Sequence, residues 1–332
     1  MFIRWLCWMM LVLVFAGSAV GAITMKKSTF KGLESIEIES KSLKVVVLPT
    51  RGANIISVFD KRNMREWIWQ NKSFNYKTLP YAAGFPDGDM SGFDDCFPTV
   101  GVCEYPDGPW KGITMADHGE TWTLPYEVTR KGSSVRFKTY GIRLPYVFEK
   151  EITITDPDTI TIRYKATNQT SEPMKAAWAA HALIKVSPGM EIFLPGKTEI
   201  REGIPGWTVE SKNNLDWIKL TETVSATKRF TEKLPAGYGG FYDSKTGDFL
   251  AMMFSNKDLP YIGIWINQAA YPAGSDAYNA ALEPTNGDET YQLSKARGIE
   301  NMIPAKSSVK WELNIVLGQS DRADLRDKLK NK

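Results

Sequence analysis

Along most of the chain, apolar and polar positions alternate with a period of two, or β-branched residues run together in short blocks. Both are strand patterns. Leu43–Leu48 is a compact β-branched run. Pro49, Thr50, Arg51 and Gly52 interrupt it, and residues 54–59 resume it, a strand–turn–strand signature. The clearest pair is 148–155 and 159–166. Ile152 and Ile154 alternate with Glu151, Thr153 and Thr155; Asp156, Pro157 and Asp158 turn the chain; Ile160, Ile162 and Tyr164 resume the alternation. That predicts a hairpin with one buried face. Residues 249–255, 261–267 and 309–317 read as further strands. Helical periodicity is confined to 320–330, where Ser320 caps, Asp321 follows, and Ala323, Leu325 and Leu329 share a side. No helices separate the strands at intervals, which argues against a doubly wound α/β fold. The expectation is one all-β domain over residues 23–332, a large antiparallel β-sandwich with a short C-terminal helix. Its edges and irregular loops would carry the function.

The first 22 residues differ in kind. Arg4 precedes an apolar run over 5–16, and Gly17, Ser18, Ala19, Val20, Gly21 and Ala22 follow. The run is shorter than the roughly 20 residues of a membrane-spanning helix. A charged start, a short apolar core and a small-residue exit read as a secretory signal cleaved near Ala22. The expected location is therefore periplasmic or secreted, with no stable membrane insertion after cleavage. Cys7 precedes most of the apolar run, unlike a lipoprotein cysteine. Two cysteines remain, Cys96 and Cys103. In an oxidising compartment they either pair across a short loop or stay as two buried thiols.

The balance of 41 basic against 38 acidic residues in 332 gives no electrostatic footprint for nucleic acid. A hydrophobic share of 43% excludes intrinsic disorder. The 11 tryptophans call for either a sheet-packed core or a surface for stacking on flat ligands. Residues 72–122 are rich in Gly and Pro turns and hold Tyr76, Tyr81, Phe85, Asp87, Asp89, Phe93, Asp94, Asp95 and Phe97. Long irregular aromatic segments on a sandwich form binding surfaces, so the aromatics between Tyr81 and Trp122 are expected to wall a pocket.

Only two histidines exist, His118 and His181, so any proton transfer by imidazole must use one of them. His118 lies in Asp117-His118-Gly119-Glu120-Thr121-Trp122. His181 lies among apolar neighbours on a strand-like segment, where a satisfied core histidine is the plain alternative. Glu283, in Leu282-Glu283-Pro284, is either a surface turn residue or a base at a strand end. A Gly-x-Ser-x-Gly elbow, a phosphate loop, a dinucleotide fingerprint and a cluster of closely spaced zinc ligands are all missing from the sequence.

His118-Gly119 with Trp122 close behind, then His181 on an apolar strand, then Leu282-Glu283-Pro284, resemble in that order the aldose 1-epimerase (galactose mutarotase-like) family. The resemblance runs from about residue 45 to 317 and implies a large antiparallel β-sandwich. It also implies that His181 is the general acid at the sugar ring oxygen and Glu283 the general base at the anomeric hydroxyl. His118 and Trp122 would bind the sugar, and no metal or organic cofactor is required. Opening a cyclic hemiacetal needs one proton removed from O1 and one delivered to O5, which such a pair supplies. His181 and Glu283 are expected to face each other across a gap the width of a pyranose ring. One departure is Asp94 and Asp95, where many relatives have an Asn-Gly-Arg-type segment. They would read vicinal hydroxyls and repel anionic sugars, or else form a solvated turn. Asp216, in Leu215-Asp216-Trp217, is the stand-in for a substrate-binding aspartate. The leading reading is an exported epimerase acting on a free, small-molecule sugar. The alternatives are a non-catalytic carbohydrate-binding protein on the same fold, and a sugar-phosphate (hexose-6-phosphate) 1-epimerase.

Overall fold

The computed structural model describes residues 23–331; the expected signal segment, with Arg4 and Cys7, lies outside the described residues. The fold is all-β. An 11-stranded and a 10-stranded antiparallel sheet share one apolar core, as the strand patterning requires. The strands that carry the site run side by side in the larger sheet, in the order Asn54–Asp60, Phe93–Cys96, Ala179–Ala182, Tyr278–Thr285, Tyr261–Gln268, Ser225–Phe230. The other sheet centres on Asp248–Phe254, Ser308–Gln319, Thr159–Asn168 and Tyr146–Asp156. The predicted hairpin is present, with Ile152 opposite Ile162 and Ile154 opposite Ile160, all four in the core. These strands extend a residue or more beyond the expected bounds, because cross-strand pairing continues past the apolar stretch.

The C-terminus brings one local correction, and the thiols take one of the two alternatives left open by the sequence. The final helix spans only Leu325–Lys330, with Leu325 and Leu329 buried; Ser320 does not cap it, because its hydroxyl turns to the Asp321 carbonyl. A second short helix, Tyr291–Ala296, was not foreseen; the Thr290 side chain accepts from the Leu293 amide at its start. Cys96 and Cys103 are free thiols. Cys96 is sealed on a central strand against Val100 and Ala179, and burial pushes its thiol well up. Cys103 sits on a separate small hairpin with Sγ 3.4 Å from the Thr99 hydroxyl. The two sulfurs pack into different clusters, so the pairing is not made.

Candidate active site

In the larger sheet, Phe93, Ala180, Ala182, Ile262, Ile264, Ile266, Ala280 and Leu282 face the core. Alternation turns the residues between them to the opposite face, under the loops. That face is a grid. His181 lies opposite Asp94, and Glu283 opposite Gly263, itself opposite Phe230. Because Ala179 pairs with Thr285, two further residues along each strand set His181 beside Glu283. The next row is Ala281, Trp265 and Lys228; the one beyond is Asn279, Asn267 and Ala226.

His181 Nε2 lies 3.8 Å from Glu283 Oε1, so the two groups touch and no ring-wide gap separates them. Glu283 has no exposed surface, and its Oε2 accepts from the Lys228 ammonium, itself a quarter exposed. Oε1 has no hydrogen-bond partner among the described residues. Gly263 makes room for this carboxylate: a Cβ there would stand 3.0 Å from Oε2. Burial drives the His181 imidazole well below its usual pKa, and the nearby His118 and Lys228 charges add to the effect. His181 is therefore neutral at neutral pH.

His118 arrives from the loop side. Its backbone is left-handed (φ 56°), as is that of Gly119 (φ 73°). A Cβ at 119 would meet the Phe97 carbonyl at 2.2 Å, the physical reason for a glycine after this histidine. The His118 and His181 rings lie 4.6 Å apart, and Phe85 packs on both, at 4.5 and 4.8 Å. Asp117 ties this corner together. Its Oδ1 lies 3.3 Å from His118 Nδ1, and its Oδ2 accepts from the Phe85 amide at 2.9 Å. Burial works against the Asp117 carboxylate, but the His118 imidazole outweighs it and holds its pKa below the usual value. A cavity of about 800 Å³ opens over His118, His181, Phe85 and Lys228 and runs out past Trp265 and Tyr271.

Several expected binders are elsewhere. Asp94 shares a face with His181 but is sealed beneath it, accepting from Asn54 Nδ2 at 2.6 Å. Burial pushes its pKa up to about 6 despite the nearby Arg51. Asp95 points the other way, into the core, where it pairs with Lys150 at 2.8 Å and accepts from Trp178 Nε1 at 3.1 Å. Neighbours on a strand face opposite sides, so the two carboxylates could not both have faced a ligand. Trp122 is fully buried behind Phe85, its indole N–H donating to the Asp117 carbonyl at 2.9 Å. Asp216 lies in the other sheet, accepting from the Thr198 amide and the Ser211 hydroxyl. Of the loop aromatics, Phe85 reaches the cavity, whereas Phe93 and Phe97 are core. Tyr81 is bonded to Glu120. The residues sequence reasoning missed are Lys228, Trp69, Trp265 and Tyr271. None of these belongs to a spaced motif; Lys228 announces itself only as a cation in the alternating segment Ser225–Phe230. No three His, Cys, Asp or Glu side chains converge as a metal site among the described residues.

This architecture is that of the galactose mutarotase-like fold. It resembles the Slr1438 protein from Synechocystis sp. PCC 6803 with a TM-score of 0.68 and 14% identity, over 89% of this chain and 100% of that one. A galactose mutarotase-like protein from Lactobacillus casei ATCC 334 aligns with a TM-score of 0.65 and 18% identity, over 86% and 100%. The GalM/aldose epimerase homologue from C. elegans aligns with a TM-score of 0.61 and 14% identity, over 90% and 99%. At these identities the likeness establishes the fold. By sequence the chain belongs to the family described as Domain of unknown function (DUF5107), which matches residues 20–316. No curated protein matches it.

Proposed function

We propose that this protein interconverts the α and β anomers of a free sugar by acid–base ring opening, after export from the cytoplasm. The observation that carries the reading is the meeting of His181, Glu283 and Lys228 at one end of the cavity, from three separate strands. Most of the groups on this face are plain; an imidazole, a sealed carboxylate and an ammonium in contact are what hemiacetal chemistry needs.

The geometry alters the roles that the family resemblance implied. Glu283 is covered by Lys228 on one oxygen, while His181, neutral at rest, carries an unprotonated ring nitrogen that can take a proton, with the unpartnered Glu283 Oε1 3.8 Å from Nε2 to offset the charge that forms. In the forward step the anomeric O1–H proton passes to His181 Nε2 and C1=O1 forms. The C1–O5 bond breaks with its electron pair going to O5, which takes a proton from the Lys228 ammonium. Rotation about C1–C2 presents the other carbonyl face, and the same transfers reversed close the ring. Glu283 orients the ammonium, and His118, fixed by Asp117, stands beside His181 as a hydrogen-bonding partner for the sugar.

A sugar phosphate fits poorly. Lys228 is the one Lys or Arg lining the cavity among the described residues, and Glu283 already neutralises it, while Asp117, Asp276 and Glu289 add carboxylates. The test is anomer-exchange NMR over neutral hexoses, pentoses and uronic acids. Exchange above the spontaneous rate for at least one neutral sugar supports the reading. Binding without added exchange across the panel replaces it with a binding protein.

A further inference from the structure

We propose that the cavity takes the reducing end of an oligosaccharide, with a second sugar ring seated on an aromatic corner formed by Trp265 and Tyr271. This rests on the reading above in assigning the closed end of the cavity to a sugar and, for the direction of the chain, to that sugar's reacting anomeric carbon.

The first ground is size. The cavity measures about 800 Å³, in the upper part of the roughly 300–1,000 Å³ that encloses drug-sized ligands. A single hexose has less than half the atoms of such a ligand and leaves most of this space open. The second ground is position. From the His181 strand to the Trp265 strand is two strand spacings, and Trp265 lies one row further along. That places its backbone roughly 12 Å from that of His181. One ring held at His181 and Lys228 leaves Asn279, Asn267 and the loop beyond them uncovered; a second ring linked outward reaches them.

The third ground is that the corner is built. The Trp265 indole N–H is spent within the protein, on Asn279 Oδ1 at 3.1 Å, so the ring offers a ligand its apolar surface. Tyr271 meets it edge-on, centroids 5.8 Å apart and planes at 87°. Two rings at right angles make a step whose faces suit the C–H faces of a pyranose. Buried Asn267 fixes the loop that brings Tyr271. Its amide donates to the Tyr271 carbonyl at 2.6 Å, and its oxygen accepts from the Ala270 and Tyr271 amides at 3.1 and 3.0 Å. All the hydrogen bonds of this side chain go to holding the wall, so the ligand meets a preorganised surface. The polarity is fixed too. The reacting anomeric carbon must lie at the closed end, so the chain extends from the non-reducing side of the first ring outward. The substrate is then a product of a reaction that cleaves glycosidic bonds and frees reducing ends.

The experiment is calorimetric titration of the protein with gluco-, galacto- and manno-oligosaccharides of one to four residues, α- and β-linked, alongside anomer-exchange NMR. At least one series should bind about tenfold more tightly as a disaccharide or trisaccharide than as its monosaccharide. Tyr271→Ala, at a 40% exposed loop position, and Trp265→Ala should each flatten that length dependence. Affinities independent of length in every series, or a length dependence untouched by both substitutions, overturn the proposal. Length-dependent binding without catalysed exchange removes the epimerase reading, and with it the direction of the chain, and leaves the seat for a second ring standing. Catalysed exchange with flat affinities does the reverse.

Discussion

Replacing Lys228 with Met removes the ammonium that holds Glu283 and keeps an apolar side chain of similar length. The consequence follows from an asymmetry in burial: the Glu283 side chain is 0% exposed and that of Lys228 26%. Without Lys228 the carboxylate has no counter-charge and no route to water. Breaking a buried pair in that sense costs roughly 3–5 kcal/mol. Glu283→Gln breaks the pair from the other side and leaves an ammonium that can turn to solvent. Screening then holds the cost to about 1 kcal/mol. The double variant carries neither charge and should unfold close to Glu283→Gln, which makes the coupling energy about 3–5 kcal/mol, the whole cost of removing Lys228 alone. Urea unfolding at pH 7, with equal slopes confirming an unchanged denatured state, gives all four free energies. If Glu283→Gln is the more damaging single change, or the two effects add to within about 0.5 kcal/mol, Lys228 does not stand guard over Glu283 as described.

The remaining predictions concern the same face of the sheet. Asp94, raised from an ordinary 3.8 to about 6 by burial, contributes stability that is present below pH 3.8 and lost as pH rises through 6. Asp94→Asn should therefore gain roughly 2–2.5 kcal/mol on the parent protein between pH 4 and pH 7, beyond any constant offset. His181 works in the opposite sense, its contribution being lost as pH falls below 6.5, but it cancels in that difference. A pH-independent difference between Asp94→Asn and parent rules the assignment out. Gly263→Ala should fold and still bind sugar yet lose turnover, because the added methyl displaces the Glu283 carboxylate at 3.0 Å; turnover equal to the parent's would show that the position of this carboxylate does not matter.

The sheets were legible because their signal is local. Ile152, Ile154, Ile160 and Ile162 alternate, and the same period that made them a hairpin put all four in one core. The three polar segments around His118, His181 and Glu283 were also visible, but as isolated words. Their adjacency depends on Ala179 pairing with Thr285, a contact between strands far apart in sequence. Asp94 and Asp95 show the opposite failure. Both lie in a segment that reads as an irregular loop, so the alternation that sends one under His181 and the other to Lys150 went unseen. Trp122 was misread because aromatic residues have the same composition signal whether they wall a cavity or fill the space behind Phe85. Lys228 and Trp265 are cross-strand partners whose meaning exists only in the register.

One rate tests the acid–base chemistry most directly: anomer exchange of a bound neutral sugar, beyond the spontaneous background, in the parent protein and in His181→Asn. Asparagine keeps a hydrogen-bonding side chain at the cavity wall but cannot carry the anomeric proton. The parent should accelerate exchange, and the variant should bind the same sugar with similar affinity while its turnover falls by about a hundred- to ten-thousand-fold. A parent that adds nothing to the background, or a His181→Asn variant that exchanges anomers as fast as the parent, contradicts the acid–base reading of this site.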